Sequence, residues 1–493
     1  MRHIFISAIP KFWETIRYSY WLIPSVMALG ALGLAFGLLE VDRAEAGGLI
    51  SELGWVYAGG SDGAREVLSV ISGSMITVAG VVFSITMVAL TLASSQFGPR
   101  VLRNFMQDRG NQFVLGTFIS TLVFSLMVLR TIEGGDESFI PQLSVTTSVA
   151  MALGSLGVLI YFIHHVALSI QASQVVATIG RELFASIDRT YPEKKNRTDS
   201  AAAPSAREFV EDGASEIPEG GARQTPDGGA REIRKDVGAG AHGTLEKNEL
   251  DAHPLPAKSS GYLQAIDMEA LVGTAREADV VLQLLCRPGD FISQYKPLLL
   301  CIPASRWDDH LHNELLDAFT AGKERSHTQD VLFAVDQLVE VAIRALSPSI
   351  NDPFTAIRCL DWLGAGLSRA LTRGPASSYH EDDEGNLRLV SKSVTFAEMV
   401  DAAFQQIQEF GSRSAAVTIH VLEVICDVSR HARTDAQRGV LLRHARQVLQ
   451  NGQRELSQDQ DRDRVKVLYA EVLRGLKSNE GRMLEEGPES GTG

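Results

Sequence analysis

The chain has 493 residues, with 60 acidic against 46 basic side chains and a formal net charge of -14. That length exceeds one compact domain, and the acidic balance argues against a general nucleic-acid binder. Four widely spaced cysteines, Cys286, Cys301, Cys359 and Cys426, form no C-x-x-C pair. They read as reduced, buried, small apolar residues of a cytosolic region rather than a disulfide framework or a zinc site.

The charge is unevenly placed: the first third is strongly apolar and the remainder is charged and acidic. Residues 1 to 20 carry Arg2, Lys11 and Arg17 among aromatics, and Trp21 to Leu39 makes a first apolar segment. Trp13, Tyr18, Tyr20 and Trp21 read as an interfacial belt around a retained span, since a secretory signal has a shorter apolar core and a small-residue cleavage site. The loop from 40 to 67 is acidic, with Glu40, Asp42, Glu45, Glu52, Asp62 and Glu66 against Arg43 and Arg65.

The second apolar segment, Leu68 to Phe97, is uncharged and long enough to cross a bilayer with tilt. Within it Gly73, Thr77, Gly80, Ser84, Thr91 and Ser95 recur at helical steps, which puts small and hydroxylated side chains on one narrow stripe. Two readings of the stripe stand side by side. Small residues let helices pack closely, and weakly polar walls suit a water-filled path.

Arg100, Arg103 and Arg109 outweigh Asp108 in the next loop. They read as a topology signal and a contact for anionic lipid heads, or as a ring of positive charge at the cytoplasmic mouth of an oligomeric pore. Further apolar segments follow at about 113–129 and 143–168, separated by the acidic IEGGDESF. The alternation of basic and acidic loops predicts four spans with both termini in the cytoplasm. His164 and His165 read as interface anchors at the end of the fourth span, because adjacent helical residues point about 100° apart and do not share a metal. Past it, SIQASQVVATIGRELFASIDRTY is expected to continue the same helix, with Ile170, Val176, Ile179, Leu183 and Ile187 on its apolar side.

The expected organisation is a four-span transmembrane domain with its helical extension at 1–190 and a disordered low-complexity insert at 191–258. A small β module at 259–306, a cytoplasmic helical domain at 307–478 and a disordered tail at 479–493 complete it. The fold class is thus integral membrane α-helical, followed by a cytoplasmic α+β region of β module and helical bundle. PGDFISQYKPLLL resembles the turn-and-strand pattern of biotinyl and lipoyl barrel-sandwich folds, which implies such a shape for the β module. No lysine stands at a hairpin tip to carry a prosthetic group.

The most distinctive cytoplasmic stretch is RALSPSINDPFTA, residues 344 to 356. Pro348 and Pro353 restrict the backbone, and Asp352-Pro353 is a cap-and-first-position helix start. The functional alternative gathers Arg344, Ser347, Asn351, Asp352 and Thr355 around a small polar ligand or ion. His310, His312 and Glu314 alternate as metal ligands do on a strand, but they fall on an expected helix. No catalytic motif, cofactor site or metal site is present in the sequence.

Three stretches, VFSITMVALTLASSQFGPRVLRNF, QFVLGTFISTLVFSLMVL and RALSPSINDPFTA, together resemble the bacterial membrane-protein family named domain of unknown function 2254. The resemblance implies location and architecture and brings no catalytic residues. In layout the chain is also similar to small-conductance mechanosensitive channels. The expected protein is a multi-pass inner-membrane channel or transport-like protein with the lipid bilayer and copies of itself as partners. The alternative is a membrane-anchored sensor or scaffold.

Overall fold

The computed structural model describes residues 21–44, 57, 59–98, 108–132, 139–169, 171–191, 251–374 and 377–485. The chain divides into two compact units, one of Met1–Thr178 with Glu340–Cys359 and one of Ile179–Val339 with Leu360–Gly493.

The first unit is built on helices α1 (Leu22–Ala44), α2 (Ser61–Phe97), α3 (Arg109–Thr131) and α4 (Gln142–Ser169). All four are long and apolar enough to cross a membrane. They overrun the apolar segments read from the sequence because charged residues at their ends, Arg43 of α1 and Asp62 of α2 among them, extend the same helices. Helix α3 is the central one. Its Val114, Phe118, Phe124 and Val128 are fully buried, packed with Ala31 and Ala35 of α1, Leu68 and Ile71 of α2 and Val145 and Phe162 of α4. Gly116 lets α1 approach: a Cβ there would stand 2.5 Å from Met27 Sδ and 3.3 Å from Pro24 Cα.

Some polar groups inside this bundle are paired across helices, whereas the buried Ser72 and Ser120 hydroxyls have no hydrogen-bond partner among the described residues. Ser125 Oγ lies 2.6 Å from Ser148 Oγ, and Thr121 Oγ1 lies 3.0 Å from Ser155 Oγ, tying α3 to α4. Asp42, near the end of α1, is buried and caps the start of α4. It accepts from the Leu143 and Ser144 amides at 3.0 Å each and from Ser144 Oγ at 2.6 Å. A carboxylate placed there satisfies two of the amides that a helix N-terminus leaves without partners and meets the positive end of its dipole.

The continuous helix expected past the fourth span is in fact two. Helix α4 ends at Ser169, Gln171 is not helical, and α5 runs from Ala172 to Thr190; Ile170 lies outside the described residues. The apolar residues of α4 surround the helix, whereas α5 is one-sided, and a new helix can turn its stripe of Val175, Val176, Ile179, Leu183 and Ile187 inward.

The second unit holds most of the remaining elements. They are β1 (His253–Pro256), β2 (Gly261–Ile266), α6 (Met268–Glu277), β3 (Val281–Leu284), β4 (Phe291–Ile292), β5 (Pro297–Ile302), α7 (Asp309–Asp317) and β6 (Phe319–Gly322). Helices α8 (Val331–Ala345) and α9 (Pro353–Arg373), strands β7 (Tyr379–Glu381) and β8 (Leu387–Val390), and helices α10 (Phe396–Gly411), α11 (Ala415–Ser429), α12 (Asp435–Glu455) and α13 (Asp459–Glu485) follow. The facing ends of α8 and α9 fall in the first unit.

The β region differs from a module confined to 259–306. One sheet has the order β1-β5-β3-β8-β7 and the other β4-β2-β6. Strand β1 lies inside the stretch read as an insert, because His253 to Pro256 pair antiparallel with β5. The barrel-sandwich shape does not form: α6 separates β2 from β3, and β3 pairs in parallel with β8, about 100 residues on, with Leu282 opposite Leu389. Strand β6 and the β7–β8 hairpin likewise interrupt a region that reads as helical. Leu263, Leu271, Leu282, Leu299, Leu315 and Leu389 fill the core between these sheets, α6 and α7.

Cys286, Cys301 and Cys359 are buried as expected, whereas Cys426 is half-buried. Burial pushes the Cys286 thiol up to about 12 and that of Cys301 to about 11, so both stay protonated and unreactive. His310, His312 and Glu314 lie on α7. His312 sits edge-on to Trp307, and no group of three or more potential ligands forms a metal site among the described residues. In the helical part, Thr395 with Glu398 and Thr434 with Gln437 form capping boxes that start α10 and α12.

Helices α5 and α9 lock together within the second unit. Gly180 makes room for the Trp362 ring, and Gly366 for Leu183. Asp188 holds Arg369 through two bonds of 2.6 and 2.8 Å and Arg373 at 3.2 Å.

Two outcomes follow from these ties. Asp42→Ala should lower the stability of the first unit by about 2 kcal/mol, with Asp42→Asn retaining part of it, since amides at a helix start are left without acceptors. Unfolding in mixed micelles measures the difference. The Arg369 hydrogen bond, offset in part by burial, holds the Asp188 carboxyl below its usual range. Its contribution is therefore present above the unfolded-state value, about 4, and lost as pH falls through the lower folded value. Asp188→Asn should cost no more than about 1 kcal/mol at neutral pH, because the pair is partly exposed, and almost nothing near pH 2. Urea midpoints at the two pH values check it.

Candidate functional site

Helix α2 has two unlike faces. Ala64, Leu68, Ile71, Met75, Val82, Ala89, Ala93 and Phe97 are buried against the rest of the first unit. Gly73, Thr77, Gly80, Ser84, Thr91 and Ser95 are all exposed, on the side turned away from the chain's own helices. A Cβ added at Gly73 or Gly80 would meet nothing within 4 Å among the described residues. The two glycines therefore serve no close packing against the described helices.

Three of the four hydroxyls of the stripe are bonded along their own helix. Thr77 donates to the Gly73 carbonyl at 3.1 Å, Thr91 to Met87 at 2.9 Å and Ser95 to Leu92 at 2.9 Å. Such back-bonding lets a hydroxyl sit in an apolar phase at little cost, while its free lone pairs still present a weakly polar surface. Met87 and Val88, both exposed, fill the turn between Ser84 and Thr91, so the polar stripe has an apolar break.

At its C-terminal end α2 meets the first-unit end of α8. Gly98 stops the helix at φ 101°, and its amide still bonds to the Ser94 carbonyl at 3.1 Å. A side chain at Gly98 would collide with Glu340 and Arg344, so the position is closed to larger residues by both conformation and space. Arg344 reaches Glu340 Oε1 at 3.4 Å and donates to the Ser95 carbonyl at 3.4 Å. The last residue of the stripe and the first of the polar loop, singled out separately in the sequence, are thus in contact.

The rest of the polar loop serves its own turn. Asn351 adopts φ 50° and its amide bonds to the Ser347 carbonyl at 2.9 Å, while Ser347 Oγ lies 3.2 Å from Ser349 Oγ. The Asp352 amide bonds to the Ala345 carbonyl at 2.8 Å. The Asp352 carboxylate accepts from the Thr355 amide at 3.2 Å and from its hydroxyl at 2.6 Å, as an N-cap of α9. The bonds of Arg344 run to Glu340 and to the Ser95 carbonyl of α2, whereas those of the other four close the turn.

Of the basic cluster, Arg109 is the exposed first residue of α3, and Arg100 and Arg103 lie outside the described residues. Asp108, read in the sequence as a lone acid among arginines, N-caps α3 by accepting from the Gly110 amide at 2.8 Å and bonds His165 Nε2 at 2.6 Å. The ring of His165 also stacks on Tyr161, 5.4 Å between centroids. His164 is exposed. Sequence reasoning missed the His165–Asp108 pair and the Glu340–Gly98 contact. The glycine of the FGPR turn was the available signal, since a glycine that closes a long apolar helix marks a close approach.

Gly98→Ala should lower stability by about 1–3 kcal/mol through a positive φ and displaced Glu340 and Arg344. Arg344→Ala, which removes one long contact at a partly exposed site, should cost less than about 1 kcal/mol. Chemical unfolding of the detergent-solubilised variants ranks the two.

Comparison with known proteins agrees with this layout. The model of the family described as "Predicted membrane protein (DUF2254)" matches residues 17–427. Two similar proteins are "Uncharacterized protein Rv1290c" of Mycobacterium tuberculosis and "Uncharacterized protein Mb1321c" of Mycobacterium bovis. Each is 30% identical over 459 residues, which cover 91% of this chain and 79% of the relative. No solved structure matches. With four apolar helices, the small-residue stripe of α2 among them, and the SPSINDP turn all inside the matched region, the chain belongs to the DUF2254 family of predicted membrane proteins.

Proposed function

We propose that the protein is an oligomeric channel or transport-like protein of the bacterial inner membrane, in which copies of α2 surround a central path. The observation that carries the reading is the outward position of all six stripe residues, Gly73, Thr77, Gly80, Ser84, Thr91 and Ser95, on a helix whose other face is fully engaged. Small, hydroxylated, uncharged side chains on a free face suit the wall of a narrow aqueous route, and the Met87–Val88 break suits a hydrophobic constriction.

In this reading α1 to α4 span the bilayer with both termini in the cytoplasm, the orientation that the alternating basic and acidic loops favour. Arg100, Arg103 and Arg109 then ring the cytoplasmic mouth, where positive charge favours anions. The sheets and α10 to α13 form a cytoplasmic regulatory part, and within the first unit Arg344 of α8 holds the Ser95 carbonyl of the pore helix. The second reading is a membrane-anchored sensor or scaffold, and the hydroxyls that bond back to their own helix favour it, since such a face is also stable against lipid.

Single-channel recording from purified protein in planar bilayers, under voltage and under tension, separates the two. Discrete currents that Gly80→Leu abolishes or reduces are the expected outcome. The substitution is clean because no described residue stands within 4 Å of the new side chain's first atom, so the protomer's stability should change by less than about 0.5 kcal/mol. Silence of the folded parent protein under both stimuli would leave the anchor reading in its place.

A further inference from the structure

The turn between α8 and α9 presents two bulky apolar side chains to solvent. Phe354 is 72% exposed and Ile350 42%. Neither side chain takes part in the turn's hydrogen bonds, to which Ile350 contributes only its amide, donated to the Ser347 carbonyl at 3.1 Å, and both are held by a backbone that is already fixed. Asn351 in the left-handed region, Pro348, Pro353 and the Asp352 cap leave the turn little freedom, so the two side chains are displayed rather than stray. One helical turn beyond Phe354, Arg358 is also exposed and has no ion-pair partner among the described residues.

This turn belongs to the same compact unit as the apolar helices. Its preceding residues Glu340 and Arg344 close over Gly98, where the uncharged stretch of α2 gives way to the arginines of the following loop. Two apolar side chains beside an unpaired guanidinium, next to the end of a span, have the composition of an interfacial membrane contact. A protein partner fits less well, since a stable interface buries about 800 Å² on each side and this patch is two side chains wide.

We infer that residues 346–358 rest on the membrane surface at the end of α2, with Ile350 and Phe354 set among the headgroups and Arg358 paired with anionic lipid phosphate. The inference rests on the reading of α2 as a membrane span. It adds a second, peripheral lipid contact, and Arg344 and Ser95 connect that contact to the stripe helix.

A nitroxide attached at Phe354→Cys in the full-length chain, reconstituted in vesicles of phosphatidylcholine with phosphatidylglycerol, tests it. Collision with oxygen, which partitions into lipid, is compared with collision with a water-soluble nickel chelate. Ile76→Cys on the exposed face of α2 and Val467→Cys on α13 serve as the span and aqueous references. The parent chain, three of whose four thiols are buried, supplies the blank.

The expected result is an oxygen-to-nickel ratio at 354 several-fold above that at 467 and below that at 76. It should fall when Arg358→Ala is added or phosphatidylglycerol is omitted. An aqueous ratio at 354 with a lipid ratio at 76 would overturn the surface contact and leave the span reading standing. An aqueous ratio at 76 would overturn the span reading and the inference with it. Spin-spin broadening at 354, with shielding from both reagents, would assign the patch to a second copy of the chain and reject the lipid.

Discussion

A buried polar group costs least when it finds a partner within the protein, and several such pairs tie together the four long apolar helices of the first unit. Inside a bilayer water would offer no alternative, and the hydrophobic drive that assembles soluble helices would be weak between helices that lipid already solvates. The bundle therefore depends on close approach and on paired polar groups. Gly116 gives α1 its approach to α3, the serine and threonine pairs bridge α3 to α4, and Asp42 supplies acceptors to the start of α4. Each tie involves α3 or an end of α4, which is why α3 can be enclosed while α2 keeps one face outside.

The same constraint explains how Thr77, Thr91 and Ser95 can be turned outward. A hydroxyl bonded to the carbonyl three or four residues back needs nothing from a neighbouring helix. At the end of α2 the situation changes, because the helix runs out of its own partners. Arg344 then reaches the carbonyl of Ser95, and Glu340 and Arg344 together close over Gly98. The polar loop thus acts on α2 through one arginine, while Ser347, Asn351, Asp352 and Thr355 hold the turn that positions it.

What could be read in the sequence was what depends on neighbours along the chain. Hydropathy over some twenty residues located α1 to α4, three-four spacing located most of the later helices, and Asp352-Pro353 located the start of α9. The pairings that depend on distant residues were not legible. Strand β3 finds its parallel neighbour β8 across about 100 residues, and β1 is a four-residue strand with two prolines in a stretch whose composition resembles the preceding low-complexity segment. Asp42 read as one of several loop acids, because nothing near it in sequence indicates that the start of α4, about 100 residues later, lies within reach. For the candidate site, the periodicity placed the stripe on one face but carried no information about which face the other helices take.

That division between faces bears on how such a protein would assemble. Bulky side chains such as Val81, Phe83 and Val88 on the outer side of α2 are as well solvated by lipid tails as by protein, so their exposure exerts little pull toward another helix. Gly73 and Gly80 differ in that they leave a groove down to the backbone, and a groove is where a second helix gains contact that lipid tails supply poorly. In the proposed oligomer the glycines and the hydroxyls would therefore do different things on one stripe: the glycines set how near neighbouring copies of α2 come, and Thr77, Ser84, Thr91 and Ser95 set how polar the space between them is. A ring that closes too tightly at the glycines leaves no room for water at the hydroxyls. In that assembly helix tilt would fix the width of the path, and the contact of Arg344 with Ser95 sits at the end of the helix where a small change of tilt would move the mouth most.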